Sequence, residues 1–184
     1  MHHLWQEVEM DNMSEFSADF LQKEYHEVIL YHDVDSLEQY LKTPRTGLGN
    51  SLSRKQRKNV WEMVVSFREK EAKYNILSQR ELFNITTHWL REQPEFMFTH
   101  VIADEIQDLS NPELRFLRAL TPVGANDLFL VGDPYQRIYS RKLNFKAAGI
   151  NIQGRSRRLR VNYRTTEEIK RQAVRIVSGV EADD

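Results

Sequence analysis

Apolar residues recur along this chain in two different rhythms. Over residues 53–73, Val60, Val64 and Phe67 return at helical spacing, broadened by Trp61 and Val65, which predicts one long helix. Residues 78–91 predict a second, with Leu82, Ile85, Trp89 and Leu90 on its inner side, so that Trp61 and Trp89 both read as core. A shorter helix is expected over 36–41, a short strand or helix around Val28, Ile29 and Leu30, and a turn or loop over 44–49. The rhythm then changes. Val101-Ile102-Ala103 and Leu128-Phe129-Leu130-Val131 are brief unbroken apolar runs, the pattern of strands covered on both faces. Between them Ser110 and Glu113 have capping-box spacing, Pro112 lies in the first turn, and Leu114, Leu117 and Leu120 form a stripe that Thr121-Pro122 and Gly124 terminate. Strand, helix and strand in this order predict a parallel pair with a right-handed crossover.

Less regular stretches flank these elements. Residues 1–20 are acidic and polar and predict a loose segment, with His2-His3 in a disordered terminus. Residues 145–158 are expected to hold a short strand or hairpin. Thr165 with Glu168 repeats the capping-box spacing and predicts a helix that buries Ile169, Ala173, Ile176 and Val177. His100, ahead of the first strand, reads as a packing residue.

The chemistry gathers where the strands end. Residues 99–108, Thr-His-Val-Ile-Ala-Asp-Glu-Ile-Gln-Asp, close an apolar run with two adjacent carboxylates. At the C-terminal edge of an open α/β sheet, Asp104 suits a Mg²⁺ ion held through its water shell, and Glu105 suits orienting or deprotonating an attacking water. Both tasks belong to phosphoryl transfer, where catalysis is mostly positioning and charge neutralisation. The second run ends similarly, in Gly132-Asp133-Pro134-Tyr135-Gln136-Arg137-Ile138-Tyr139. A plainer reading of either run is a strand that ends in a solvated acidic loop.

A third segment, Leu159-Arg160-Val161-Asn162-Tyr163-Arg164 followed by Thr165-Thr166-Glu167-Glu168-Ile169, completes an ordered set. In this order and spacing (29 residues from Asp104 to Asp133, 31 from Asp133 to Arg164) the segments resemble motifs II, III and IV of the UvrD/Rep-like superfamily 1 DNA helicases. Upstream, Tyr40-Leu41, Arg45-Thr46-Gly47-Leu48-Gly49 and Arg57-Lys58-Asn59-Val60-Trp61 resemble the helical insertion between that family's early motifs. The resemblance implies an α/β fold: a partial RecA-like parallel sheet with helices, preceded by a mainly helical insertion. It divides the chain into a helical segment (1–95), the second half of the first motor domain (96–150) and the start of the second (151–184). It makes Asp104 the Mg²⁺ ligand, Glu105 the catalytic base, Gln136 the γ-phosphate sensor and Asp133 the support of that loop. Tyr163 would stack on adenine, and Arg164 would be an arginine finger, worth about a thousand- to hundred-thousand-fold in rate. Without the resemblance, Tyr163 and Arg164 read as a packed aromatic and a surface charge.

Two departures from the family pattern qualify what is implied. A P-loop needs Gly-x-x-x-x-Gly-Lys-Ser/Thr, whose backbone N–H groups and lysine cradle phosphates, and none of the seven glycines belongs to such a run. The family's later motifs are also missing. The chain therefore reads as the middle of an ATP-dependent 3′–5′ helicase, inactive in hydrolysis by itself, with ATP and Mg²⁺ as cofactors of the complete protein. Its expected partners are single-stranded DNA or a single-strand/duplex junction, and a second chain if the P-loop half is separate. The second departure is local. Where many relatives carry a DNA-stacking tryptophan after motif III, this chain has Tyr139-Ser140-Arg141-Lys142, so Tyr139, Arg141 and Lys142 become the candidate DNA contacts.

Composition adds a polarity. Net charge is only −1, yet residues 1–133 carry 14 Lys/Arg against 22 Asp/Glu, and residues 134–184 carry 12 against 5. A basic segment interleaved with Tyr135, Tyr139, Phe145 and Tyr163 suits nucleic acid, and equally suits a solvated face that offsets the acidic half. The Arg54-Lys55-Gln56-Arg57-Lys58 cluster reads as the wet side of its helix. With no cysteine, disulfides and thiolate metal sites are excluded, which agrees with a reducing cytoplasm. No apolar run is long enough for a membrane span. Two other readings stay open: a non-hydrolytic DNA- or protein-binding remnant, and a two-metal nuclease built on Asp104, Glu105, Asp108 and Asp133.

Overall fold

A computed structural model describes residues 1–45, 48–49, 51–133 and 143–159, together with positions 166, 168, 169, 171, 172 and 175. The first residues are ordered, contrary to the expectation from their polarity. Helix α1 (His2–Asp11) buries Leu4, Trp5 and Val8, and α2 (Ala18–Glu24), whose first turn is capped by the Ser17 hydroxyl, buries Leu21. Spacing rather than average composition decides this: three apolar side chains on one face suffice, and the acidic residues take the other. His2 lies within α1, with Nδ1 2.9 Å from Gln22 Oε1.

Helix α2 runs into a π-helical segment (Tyr25–Leu30), where the expected short element at Val28–Leu30 lies, and then come α3 (Leu37–Lys42) and the long α4 (Arg54–Tyr74). Ser53 and Gln56 exchange capping-box hydrogen bonds, and Asn75 in the left-handed conformation ends α4. Trp5 stacks on Phe67 at 3.8 Å between ring centroids, and Tyr25 meets both rings, which ties α1, the π segment and α4 into one aromatic core. Val60 and Val64 join it. Val65, expected to widen the stripe, is exposed instead.

Helix α5 (Gln79–Glu92) starts at Ser78 as expected but turns a different face inward. Asn84, Thr87 and Leu90 are buried, whereas Leu82, Ile85 and Trp89 are each about half exposed, Trp89 at 54%. The cause is a polar appointment. Arg115 of α6 (Asn111–Ala119) is buried, donates to Leu30 O, Tyr31 O and Asn84 Oδ1, and Asn84 Nδ2 also donates to Leu30 O. A buried guanidinium must find acceptors, and α5 rotates to supply one. Trp61 is half-buried, with Arg68 over its ring at 5.6 Å.

Strands β1 (Val101–Ala103) and β2 (Leu128–Leu130) pair in parallel, Ile102 opposite Phe129, with α6 as the crossover between them. Leu128 and Leu130 face Leu114 of α6, and Leu109, Leu143, Phe145, Ala148 and Ile150 fill the same cluster. The sheet is thus covered on one face. Ile102 (79% exposed) and Phe129 (62%) project from the other, which corrects the expectation of strands buried on both sides. Among the described residues, α6 and Leu90 of α5 pack near these strands, and nothing described lies over Ile102 and Phe129.

Residues 143–159 contain turns rather than the expected strand or hairpin. Phe145, Ala148 and Ile150 occupy one side of a coil closed by Ala148 N–H to Asn144 O (3.0 Å) and Ile150 N–H to Phe145 O (2.8 Å). His100 is exposed and bonds only its neighbour Thr99 among the described contacts, so it is not a packing residue. Glu168, Ile169, Arg171, Gln172 and Arg175 are helical as expected, but Ile169 is exposed rather than buried. Thr165, Ala173, Ile176 and Val177 lie outside the described residues.

Candidate active site

The two strand tips meet. Beyond β1 the chain turns through Asp104 and Glu105 into a single 3₁₀ turn (Ile106–Asp108), and Ile106 N–H donates to Val131 O at 3.0 Å, just past β2. Val131 N–H in turn donates to Ala103 O (2.9 Å), so the parallel ladder extends to the point where both chains become polar. Asp104 and Glu105 therefore stand beside Asp133 at one sheet edge.

Glu105 adopts a left-handed backbone (φ 52°, ψ 36°), a conformation uncommon for a residue with a side chain. The Asp104 carboxylate accepts the Glu105 N–H at 2.8 Å and helps hold it. Both carboxylates are exposed.

Gln107 organises this corner, and the sequence had assigned it no role. Its side chain is 6% exposed; Nε2 donates to Glu105 Oε2, and Oε1 accepts the Asp133 N–H at 2.9 Å. A glutamine between an exposed acidic pair and the start of an amphipathic helix is the available signal, since a polar side chain there must be either solvated or clasped. The helix that follows is anchored independently, with Glu113 accepting from both the N–H and the hydroxyl of Ser110 at 2.6 Å.

A model of the UvrD/REP helicase N-terminal domain matches residues 3–153. The chain belongs to this family. No curated protein and no solved structure matches it.

Helicases of this family use ATP and Mg²⁺ and bind DNA. The corner fits a Mg²⁺ ion held by one carboxylate and its own water shell. Among the described residues no group of three or more His, Asp or Glu could form a cage for a metal, but Mg²⁺ characteristically keeps several waters and takes one or two carboxylates plus phosphate oxygens. Exposed Asp104 can serve in that way. Of the other residues assigned from the UvrD/REP resemblance, Gln136, Tyr139, Arg141, Lys142, Tyr163 and Arg164 lie outside the described residues. Tyr40, Arg45 and Arg57, from the upstream stretches that resemble the helical insertion, come together: Arg57 donates to Tyr40 O (2.6 Å) and Thr43 O (2.8 Å), while Tyr40 and Arg45 both bond Glu24. These residues build the helical segment and are far from free for a ligand. No helix among the described residues is long and apolar enough to cross a membrane.

Proposed function

We propose that this UvrD/REP-family chain contributes the second half of a RecA-like ATPase domain to an ATP-dependent 3′–5′ DNA helicase, preceded by the helical insertion (1–95) and followed by the start of the second motor domain (151–184). The carrying observation is the juxtaposition of Asp104 and Glu105 with Asp133 at the ends of adjacent parallel strands. In this reading Asp104 binds Mg²⁺ and Glu105 draws the proton from the attacking water. Asp133 supports the loop on which Gln136 senses the γ-phosphate. Tyr163 stacks on the adenine, and Arg164 neutralises charge as the phosphoryl group transfers. Tyr139, Arg141 and Lys142 contact single-stranded DNA or a single-strand/duplex junction. When bound, the ion neutralises phosphate charge; the chain's own residues orient the water and hold its proton.

The sequence has no P-loop run, so phosphate cradling must come from elsewhere, such as a second chain, and the chain alone is expected to bind DNA in a salt-sensitive way without turnover. That behaviour is also what a non-hydrolytic remnant would show. Replacing Glu105 separates the two: once the P-loop half is supplied, Glu105→Gln abolishes ATP turnover while nucleotide binding persists. Equal turnover with glutamate and glutamine removes Glu105 from the mechanism. Mg²⁺-dependent DNA cleavage without ATP would instead support a nuclease, a reading that needs more converging carboxylates than the described residues provide.

A further inference from the structure

We propose that Gln107 is a positioning residue of this site: its carboxamide clasps the Glu105 side chain to the backbone N–H of Asp133, and Gly132 is a glycine because Gln107 and Ile106 fill the space a Cβ would need. The inference rests on the reading of Glu105 as the catalytic base and assigns that base its means of orientation.

The geometry admits one assignment of the amide. A carboxylate only accepts and a backbone N–H only donates, so Nε2 must face Glu105 Oε2 and Oε1 must face Asp133 N–H, as observed. Glutamine alone among side chains of this length carries a donor and an acceptor on one short planar group. Glutamate at 107 would still accept from Asp133 but would repel Glu105; methionine would do neither. Gln107 itself is buried between its two partners, so its amide is not readily solvated when one of them is lost.

Gly132 lies against the same side chain. A Cβ built there would lie 2.7 Å from Gln107 Oε1, 2.7 Å from Ile106 Cγ1 and 3.3 Å from Gln107 N. The close approach comes from the clasp itself and from the 3₁₀ turn that presents it. The requirement for glycine at 132 is steric, set by the neighbouring tip and not by backbone conformation, because Gly132 is not among the positive-φ glycines.

Amide hydrogen exchange in the intact chain tests this. Gln107→Met is expected to speed exchange at Asp133 N–H about tenfold while Val131 N–H, held by Ala103 O, is unchanged. Gly132→Ala should reproduce that effect. Gln107→Glu should preserve protection at Asp133 yet alter the Glu105 carboxyl resonance, a split that a merely structural residue would not produce. In the complete ATPase, Gln107→Met should lower kcat about tenfold with KM for ATP little changed. Equal exchange at Asp133 in wild type and Gln107→Met overturns the clasp. Wild-type kcat in Gln107→Met, with Glu105→Gln inactive, overturns its positioning role alone. Normal turnover in Glu105→Gln with the exchange pattern intact leaves the clasp standing and removes the assignment of the base.

Discussion

Arg45 and Glu24 form a forked ion pair, Nε to Oε1 at 2.7 Å and Nη2 to Oε2 at 2.8 Å, with both side chains nearly sealed from solvent. The Tyr40 hydroxyl donates a third bond to Glu24 at 2.7 Å, and burial and that carboxylate together hold the phenol well above its ordinary titration range. Removing one partner strands a charge in a medium that solvates it poorly. Arg45→Met is expected to cost about 3 kcal/mol or more in urea-unfolding free energy, whereas Glu24→Leu with Arg45→Met should recover most of the loss. A double variant no better than the single would show that packing of the guanidinium, and not its charge, matters.

Glu71 predicts a pH dependence. Burial, the nearby Glu81 carboxylate and a hydrogen bond with it push Glu71 up to about 8 from 4.5, with Arg68 opposing. As pH rises past 4.5 the unfolded chain releases its proton first, while the folded chain keeps it until about 8. Stability from this group is therefore complete below about 4.5 and is lost across that window as pH rises. Thermal unfolding between pH 5 and 9 should show the decline, and Glu71→Gln should flatten it.

Arg115 acts as a cap brought from another helix. Its guanidinium satisfies the carbonyls of Leu30 and Tyr31, at the end of the π segment, and joins α6 to the helical bundle through Asn84. Arg115→Met should destabilise the chain by about 3 kcal/mol and raise exchange rates in α5 as well as α6. Effects confined to α6 would mean that the two regions are held together by the Phe83–Phe116 contact instead.

The helix starts offer a smaller test. Ser53→Ala removes the acceptor for Gln56 N–H at the start of α4, and a loss of about 1 kcal/mol is expected by urea titration. Asp127→Asn should cost more, and only above the acid range. Although burial opposes ionisation of Asp127, the Gly124 N–H and Arg118 hold its carboxyl below its ordinary value, so its contribution vanishes as pH falls through that lowered value.

Much of the architecture was legible because it depends on neighbours in sequence. The long helix expected over 53–73 and the helix over 78–91 appear at α4 and α5, because serine caps and periodic apolar residues act within a few positions. The capping box at Ser110 and the parallel pairing of the two apolar runs were equally local inferences. At the site, the two acidic strand tips come together as their positions implied. What failed were statements about what covers a surface: the second face of the strands, the Leu82–Ile85–Trp89 side of α5, and the first twenty residues. Each depends on a partner that is remote in sequence.

Taken alone, then, the order of residues determined which stretches are helix or strand, where serine starts a helix, and that Asp104, Glu105 and Asp133 sit where strands end. Periodicity and caps are short-range properties of the chain. Only the tertiary structure decided that Gln107 spans Glu105 and Asp133, that a Cβ at Gly132 would crowd Gln107 and Ile106, and that Arg115 meets a polar face of α5. Those outcomes follow from hydrogen-bond demand and excluded volume between segments that only folding brings together.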